Sequence, residues 1–438
     1  IATELARHFE QAGRNDKASS YLGVAAGQAI AVSAFAEAAA LNHRALELLQ
    51  SLPESSEGQR ASIEHLRMLV TAVGASKGWS HPEVLEIAEE LRQRCTDAGD
   101  VEGRSWALFL IIYYLGNRPD FRSQVPLLTE SLKVAEASGN PLLLMAAHWS
   151  HIYYIWAGEP ARALEHLEQA ASLLNEEIAE RYLRLTGFDA RAILPMWIGV
   201  ALLFIGHADR AMLKLFQAVA DADKLGNPFS RAFVRGLVGP ILAHSGVEAG
   251  LVLSEECIAI ASERGFDDVV LYGMLGRVFE AAARGDGEPN ERCLAMMEAS
   301  TFRQPYPWCL RIRCALLVAA GRAEKAMSEI RRTRDFMDES WVRFDESGID
   351  RLEGDALALL DDFVGAEQAY LRAIEVARRQ QMKPFELEAA TALARLWQHQ
   401  GKVSEAREVL QPVYDWFTEG LDSRPVVEAR ELLDRLDV

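Results

Sequence analysis

The chain has 438 residues, half of them apolar, with 64 acidic against 46 basic side chains and a formal net charge of -18. That length exceeds one ordinary globular core, so two or three domains or one extended repeat array are expected. The acidic field opposes a phosphate backbone and excludes nucleic acid as an expected partner. No apolar run reaches the roughly 20 residues of a membrane-spanning helix; the longest runs from Trp106 to Leu115. The five cysteines, Cys95, Cys257, Cys293, Cys309 and Cys314, form no CxxC pair. They imply neither a disulfide framework nor a zinc ribbon, and a reducing cytoplasm is the expected compartment. The chain begins at Ile1 without a signal peptide, so a fragment of a longer protein is expected.

Taken in chain order, two kinds of punctuation recur. The first is a loop glycine closing a helix: Gly116, Gly158, Gly206, Gly246, Gly285, Gly321 and Gly401. Most steps between them are 36 to 42 residues; the step from Gly158 to Gly206 is longer, and one mark is missing near 361. The second kind falls between these glycines. It reads DAGD to Asp100, ASGNP to Pro141, KLGNP to Pro228, ERGFD to Asp267, RQPYP to Pro307 and QMKPF to Phe385. Glycine followed by proline or aspartate is the chemistry of helix stop and start. Each unit is therefore two helices, with a period near 40, and neighbours bury the stripe that neither helix buries alone.

An alanine follows the glycine by five positions: Gly13/Ala18, Gly158/Ala163, Gly206/Ala211, Gly321/Ala326 and Gly401/Ala406. A large apolar residue stands four further on, at Leu22, Leu167, Leu215, Ile330 and Leu410, and then a small one such as Ala25, Ala170 or Ala218. That is the buried face of a helix of period 3.6, with the small residue admitting close backbone approach. The expected fold is all-α: an α-solenoid of about ten helix pairs, ending in the amphipathic stretch Val426 to Leu436.

This pattern resembles the tetratricopeptide repeat (TPR), whose Leu-Gly pair appears as Ile198-Gly199, Val238-Gly239 and, more weakly, Glu353-Gly354. The longer period is similar to the C-terminal arrays of bacterial signal-transducing P-loop (STAND) ATPases, including maltose-regulator-type transcriptional activators and cyclase-ATPase fusions. The opening IATELARHFEQAGRND and the ending from ARRQQMKPFELEAA onward carry that narrower resemblance. It implies a sensing or docking arm. Residues 1–52 would be lead-in repeats joining an upstream ATPase module, 53–362 a central array with an aromatic-rich concave face, and 363–438 closing repeats with a capping helix. The P-loop motif GxxxxGK[ST] is absent from this sequence, so ATP and magnesium would belong to the upstream module, and no cofactor is expected here. The partners implied are a small-molecule effector, or a protein or peptide, in the groove, together with the chain's own ATPase module; self-association is a further option. A passive interaction scaffold is the alternative reading.

Chemistry is sparse. His148 and His151, in HWSHIYYIW, have the i, i+3 spacing that can share a metal on a helix, but no HExxH motif or carboxylate at helical spacing supports them, and packing is the plainer reading. Cys309 and Cys314 read as core. The adjacent carboxylates Glu89/Glu90, Glu176/Glu177, Glu255/Glu256 and Asp361/Asp362 diverge on helices, and the run Arg331, Arg332, Arg334 reads as a solvated face. No catalytic residue and no metal site is expected.

In the tetratricopeptide pattern the inward positions of a first helix lie two, three, six, ten and thirteen residues before the loop glycine. That count implies a groove lined by Trp106, Tyr113, Tyr114, Met145, His148, Ile152, Trp156, Met196, Phe233, Tyr272, Trp308 and Arg311. Aromatic rings there suit a small organic ligand or a peptide anchor. A tightly curled array can instead pack the same residues across a turn, and both alternatives stand on sequence grounds. The last units carry a polar inward set, Arg351, Asp355, Arg395, Gln398 and His399.

Overall fold

The computed structural model describes residues 1–31, 34–53, 55–118, 120–300 and 302–436. Among them, 23 α-helices and one short 3-10 helix follow one another, and there is no strand. The fold is all-α, built of helix pairs, as the periodicity requires. The alanines after each loop glycine do what their size suggests: Ala18, Ala163, Ala211, Ala326 and Ala406 are all fully buried, and so are Leu167, Leu215, Ile330 and Leu410 beside them. Each such aliphatic side chain contributes about 1.5–3 kcal/mol by leaving water. The closing helix Arg424–Leu436 buries Val426, Ala429, Leu432, Leu433 and Leu436 in one core with Leu393, Leu410 and Val413.

The punctuation is legible in the backbone. The loop glycines Gly158, Gly206, Gly246, Gly285, Gly321 and Gly401 all have positive φ, the left-handed conformation that stops a helix without steric cost to glycine. The mark missing near 361 is filled by Asp361, which takes φ 60° itself; short polar side chains tolerate this region better than most. The long step from Gly158 to Gly206 holds an extra helix, Glu176–Thr186, between Pro160–Leu173 and Ala190–Ile205.

One expected helix differs. The stretch holding His148 and His151 is an α-helix only over Pro141–Ser150 and continues as a 3-10 turn over His151–Tyr154. The two histidines therefore do not share an α-helical face. His151 is buried and stacks on His166, with ring centres 3.9 Å apart. No group of three or more metal-binding side chains comes together among the described residues. All five cysteines are free and buried, including the two read as core. Among the described residues no single helix is long and apolar enough to cross a membrane; Glu176–Thr186 and Ala190–Ile205 pass that test only jointly, across a 90° bend.

The chain forms two compact units. One comprises Ile1–Arg118, Ser123–Ser150 and Arg184–Thr186; the other comprises Pro119–Arg122, His151–Leu183 and Gly187–Val438. In the second unit helices Pro228–His244 and Ala249–Arg264 approach each other closely at Gly250. A Cβ on Gly250 would stand 2.2 Å from the Ala243 nitrogen and 2.7 Å from the Gly239 carbonyl oxygen. Both neighbours are backbone and cannot swing aside. By contrast Gly246, in the intervening turn, has φ 76° and nothing within 4 Å of its Cβ direction. Gly250→Ala is therefore expected to cost about 3 kcal/mol by overpacking, and Gly246→Ala about 1 kcal/mol through its left-handed backbone. Urea unfolding of the two variants checks the ranking.

Candidate functional site

In the first unit two of the expected inward positions, Trp106 and Tyr113, join a run of rings. Trp106 stacks on Phe109 at 5.0 Å, Phe109 on Tyr113 at 6.4 Å, and Trp79 meets Tyr113 edge-on at 6.1 Å. Trp149 closes the group, 5.7 Å from Phe109. Met145 and Tyr114 are buried, and the Tyr114 hydroxyl accepts a hydrogen bond from Arg118 Nη1 at 2.6 Å. Trp106, Tyr113 and His148 are half-buried, and burial lowers the pKa of the His148 imidazole.

In the second unit the chain folds back onto itself. The Trp156 carbonyl accepts hydrogen bonds from the backbone nitrogens of Arg343 at 2.7 Å and Phe344 at 3.2 Å. The Trp156 ring lies edge-on to Trp308 and to Phe344, 5.1 Å from each. Phe204 joins Phe344 at 5.9 Å and Phe385 at 6.2 Å. Further along, Glu419 receives hydrogen bonds or ion pairs from His207 and Arg210, each at 2.9 Å, and Trp416 covers Gly206. Residues 156–210 are thereby locked to residues 343–420. Glycine at 206 is required twice over, by its φ of 105° and by the Trp416 ring 2.9 Å from its Cβ direction.

The apolar positions expected to face inward in the second unit are largely packed. Ile152, Trp156, Met196, Phe233 and Tyr272 are buried, and Trp308 is half-buried. Phe233 packs edge-on to Tyr272 at 5.7 Å, and the Tyr272 hydroxyl donates to Gln304. These rings form the internal packing of the unit rather than an open apolar groove.

Arg311 is different. It stands with Asp345, Arg351 and Glu388 in a cluster drawn from three helices, Tyr306–Ala319, Glu346–Leu359 and Lys383–His399, with Asp345 at the N-cap of the second. Arg311 Nε is 3.3 Å from Asp345 Oδ1, and its Nη2 is 3.6 Å from Glu388 Oε2. Arg351 Nε is 3.7 Å from the same Glu388 oxygen, while its Nη1 holds Asp355 at 2.6 Å. Tyr370 donates to the other Asp355 oxygen at 2.8 Å. The guanidinium of Arg311 also lies over the Phe385 ring, 5.6 Å from its centre.

Asp345 is the most buried side chain of this cluster. It is 3% exposed, and neither of its carboxylate oxygens accepts a hydrogen bond; Arg351 Nε is likewise buried and donates none. The other side chains are partly exposed, at 18% for Arg311, 21% for Arg351 and 29% for Glu388. Burial pushes the Asp345 carboxyl up to about 6, opposed by the pull of Arg311 and reinforced by repulsion from Glu388. His244 shares this field. Loss of solvation and the nearby Arg311 lower the pKa of its imidazole.

Among the inward positions of the last units, Arg351 and Asp355 belong to this network, and Arg395 pairs with Glu428 at 3.0 Å. Glu388 is reached by the same count, thirteen residues before Gly401. Asp345 lies outside that count, in the link between helices, and no spacing signals it.

No family model matches the chain, and no curated relative matches it. Among solved structures it is similar to yeast Tom70, at 11% identity and a TM-score of 0.36, over 100% of this chain and 95% of that one. It is also similar to a Rap protein complexed with competence and sporulation factor, at 12% identity and 0.45, over 95% and 99%, and to the TPR domain of P58(IPK), at 14% and 0.28, over 100% and 96%. At these scores the description of the fold rests on the helix pairs themselves.

The sign of the Asp345 contribution is set by its raised value. Between the ordinary carboxyl value of 3.8 and about 6 the folded state binds the proton more tightly than the unfolded chain does, so this group's contribution to stability falls as pH rises through that window. A shift of this size corresponds to about 3 kcal/mol of charge burial. Asp345→Asn is expected to leave stability near pH 4 almost unchanged and to raise it near pH 8. Thermal melts of the two proteins across that range check the crossover.

Proposed function

We propose that this chain is the ligand-binding arm of a larger cytoplasmic signalling protein of the P-loop ATPase kind, with the Arg311–Asp345–Arg351–Glu388 cluster as its recognition site. The observation that carries the reading is Asp345: a buried carboxylate whose oxygens accept no hydrogen bond, beside two arginines, in a cluster whose other members are partly exposed. Burying a charge without full hydrogen bonding is costly, and strongly perturbed titratable groups cluster at functional sites. The loop-glycine and Leu-Gly pattern, with the family-like beginning and end of the chain, supports placing this site in a sensing arm. On this reading residues 1–52 lead in from the ATPase module, 53–362 form the central array, and 363–438 close it.

Regulation then follows from linkage. A ligand shifts the arm only by the difference in its affinity for two arrangements. The contacts joining residues 156–210 to residues 343–420 are the element such a ligand would bias, because the cluster lies on helices attached to that closure. The shift would change the arm's contacts with its ATPase module, or its self-association, and so control transcription or cyclic-nucleotide synthesis. The half-buried rings Trp106 and Tyr113 of the first unit are a second contact surface, for a protein or peptide.

Native mass spectrometry of the purified chain before and after gentle denaturation tests this. The expected outcome is a small releasable mass carried by the wild type and lost from Arg351→Met, with the helical circular dichroism signal unchanged. A mass retained equally by Arg351→Met would remove the cluster from the reading. A chain that carries no small molecule, and is not stabilised by any fraction of a cell extract, would favour a passive scaffold.

A further inference from the structure

The cluster is more loosely paired than the tightest arginine–carboxylate groups of the same unit. Arg334 holds Glu353 and Asp350 at 2.7 and 2.5 Å, Arg235 holds Asp223 and Glu256 at 2.7 and 2.8 Å, and Arg313 holds Glu291 at 2.5 Å. These are the short contacts of charge-assisted hydrogen bonds. In the Arg311–Asp345–Arg351–Glu388 cluster the corresponding separations are 3.3, 3.6 and 3.7 Å. The donors and acceptors are close enough to attract but are not aligned to satisfy one another. What remains unmet is of both signs: two buried carboxylate oxygens on Asp345 and one buried N–H on Arg351.

Resting on the reading above, we propose that the ligand is a free α-amino acid with an apolar side chain, its ammonium held by Asp345 and Glu388 and its carboxylate by Arg351 and Arg311. Three observations select this class. The unmet groups call for a donor and an acceptor on the same ligand, and an ammonium offers three donors where a carboxylate offers only acceptors. The two needs lie within a single cluster, so the ligand's opposite charges must be adjacent. A free amino acid has them one carbon apart, whereas the end of a peptide supplies only one of the two. Finally, Phe385, over which Arg311 lies, and the half-buried Phe204 stacked on it flank the cluster with apolar surface, which accommodates a hydrocarbon side chain and penalises a charged one.

Protonation gives the proposal a signature. The ammonium needs Asp345 ionised, so affinity falls as pH drops below about 6. The charged groups facing Asp345 are Arg311 and Glu388 from neighbouring helices and Arg351 from its own. His244, in the same field, is lowered to about 4 and stays neutral through that window.

Isothermal titration of the whole chain, after removal of any bound small molecule by dialysis against mild urea and refolding, tests the proposal with L-leucine, L-phenylalanine, L-methionine, L-lysine and L-aspartate as probes. The expected result is saturable binding of at least one apolar probe. N-acetylation and conversion to the amide, each removing one ligand charge, should each weaken it at least tenfold. Asp345→Asn and Glu388→Gln should weaken the ammonium half, and Arg351→Met the carboxylate half, with undiminished helical signal. Affinity should fall close to tenfold per pH unit below about 6 in the wild type and lose that dependence in Asp345→Asn. Equal binding of the acetylated or amidated probes, or no binding of any amino acid, overturns the proposal. If no amino acid binds but a different releasable mass depends on Arg351, the recognition site stands and the amino-acid assignment fails; if no such mass depends on Arg351 either, both fail.

Discussion

Each helix of this chain carries a stripe of apolar side chains that it cannot bury alone, and the chain meets that constraint by bringing helix backbones very close together. Small residues make the approach possible. Ala18, Ala163, Ala211, Ala326 and Ala406 stand where a second helix meets its first, and Gly250 lets one helix start against the backbone of another. Close approach leaves no space for larger side chains at those points, so the large aliphatic residues four positions on fill the layer between them. The rest of the architecture, including where the chain turns and which residues face inward, follows from this spacing.

The second unit adds a constraint that a simple stack of pairs lacks. The backbone contacts from Trp156 to Arg343 and Phe344, together with the Glu419 contacts to His207 and Arg210, tie distant parts of the chain together. That closure takes up Trp156, Trp308 and Phe204 as packing. It leaves the polar inward positions, which cannot be absorbed into an apolar interior without a cost in desolvation. The chemistry of the unit therefore gathers at Arg311, Asp345, Arg351 and Glu388, where opposite charges are crowded but incompletely paired. The same low-dielectric surroundings that raise Asp345 would strengthen its interaction with an incoming cation.

Much of this was legible in the order of residues. Glycine at a helix end, alanine five positions later and a large aliphatic residue four further on are local chemical requirements, so they leave a repeating mark. Even the irregularities had signals: a longer step where Glu176–Thr186 is inserted, and a missing glycine where Asp361 adopts the left-handed backbone. The break after Ser150 had none, because HWSHIYYIW is compatible with helix throughout and only its surroundings, with His151 stacked on His166, select the 3-10 turn.

The sequence by itself determined the all-α character, the period near 40 and the buried alanine and leucine faces, since helix stops, starts and buried stripes depend on neighbours within one or two helical turns; the resemblance to the tetratricopeptide pattern supplied the candidate inward positions. Only the tertiary structure decided which inward positions remain available. Trp156 and Arg311 satisfy the same count from their loop glycines, yet one is sealed beneath Phe344 and the other borders an unsatisfied carboxylate. Trp156 is covered from 188 positions away and Arg311 meets Asp345 and Glu388 from 34 and 77 positions away, separations that no local periodicity encodes.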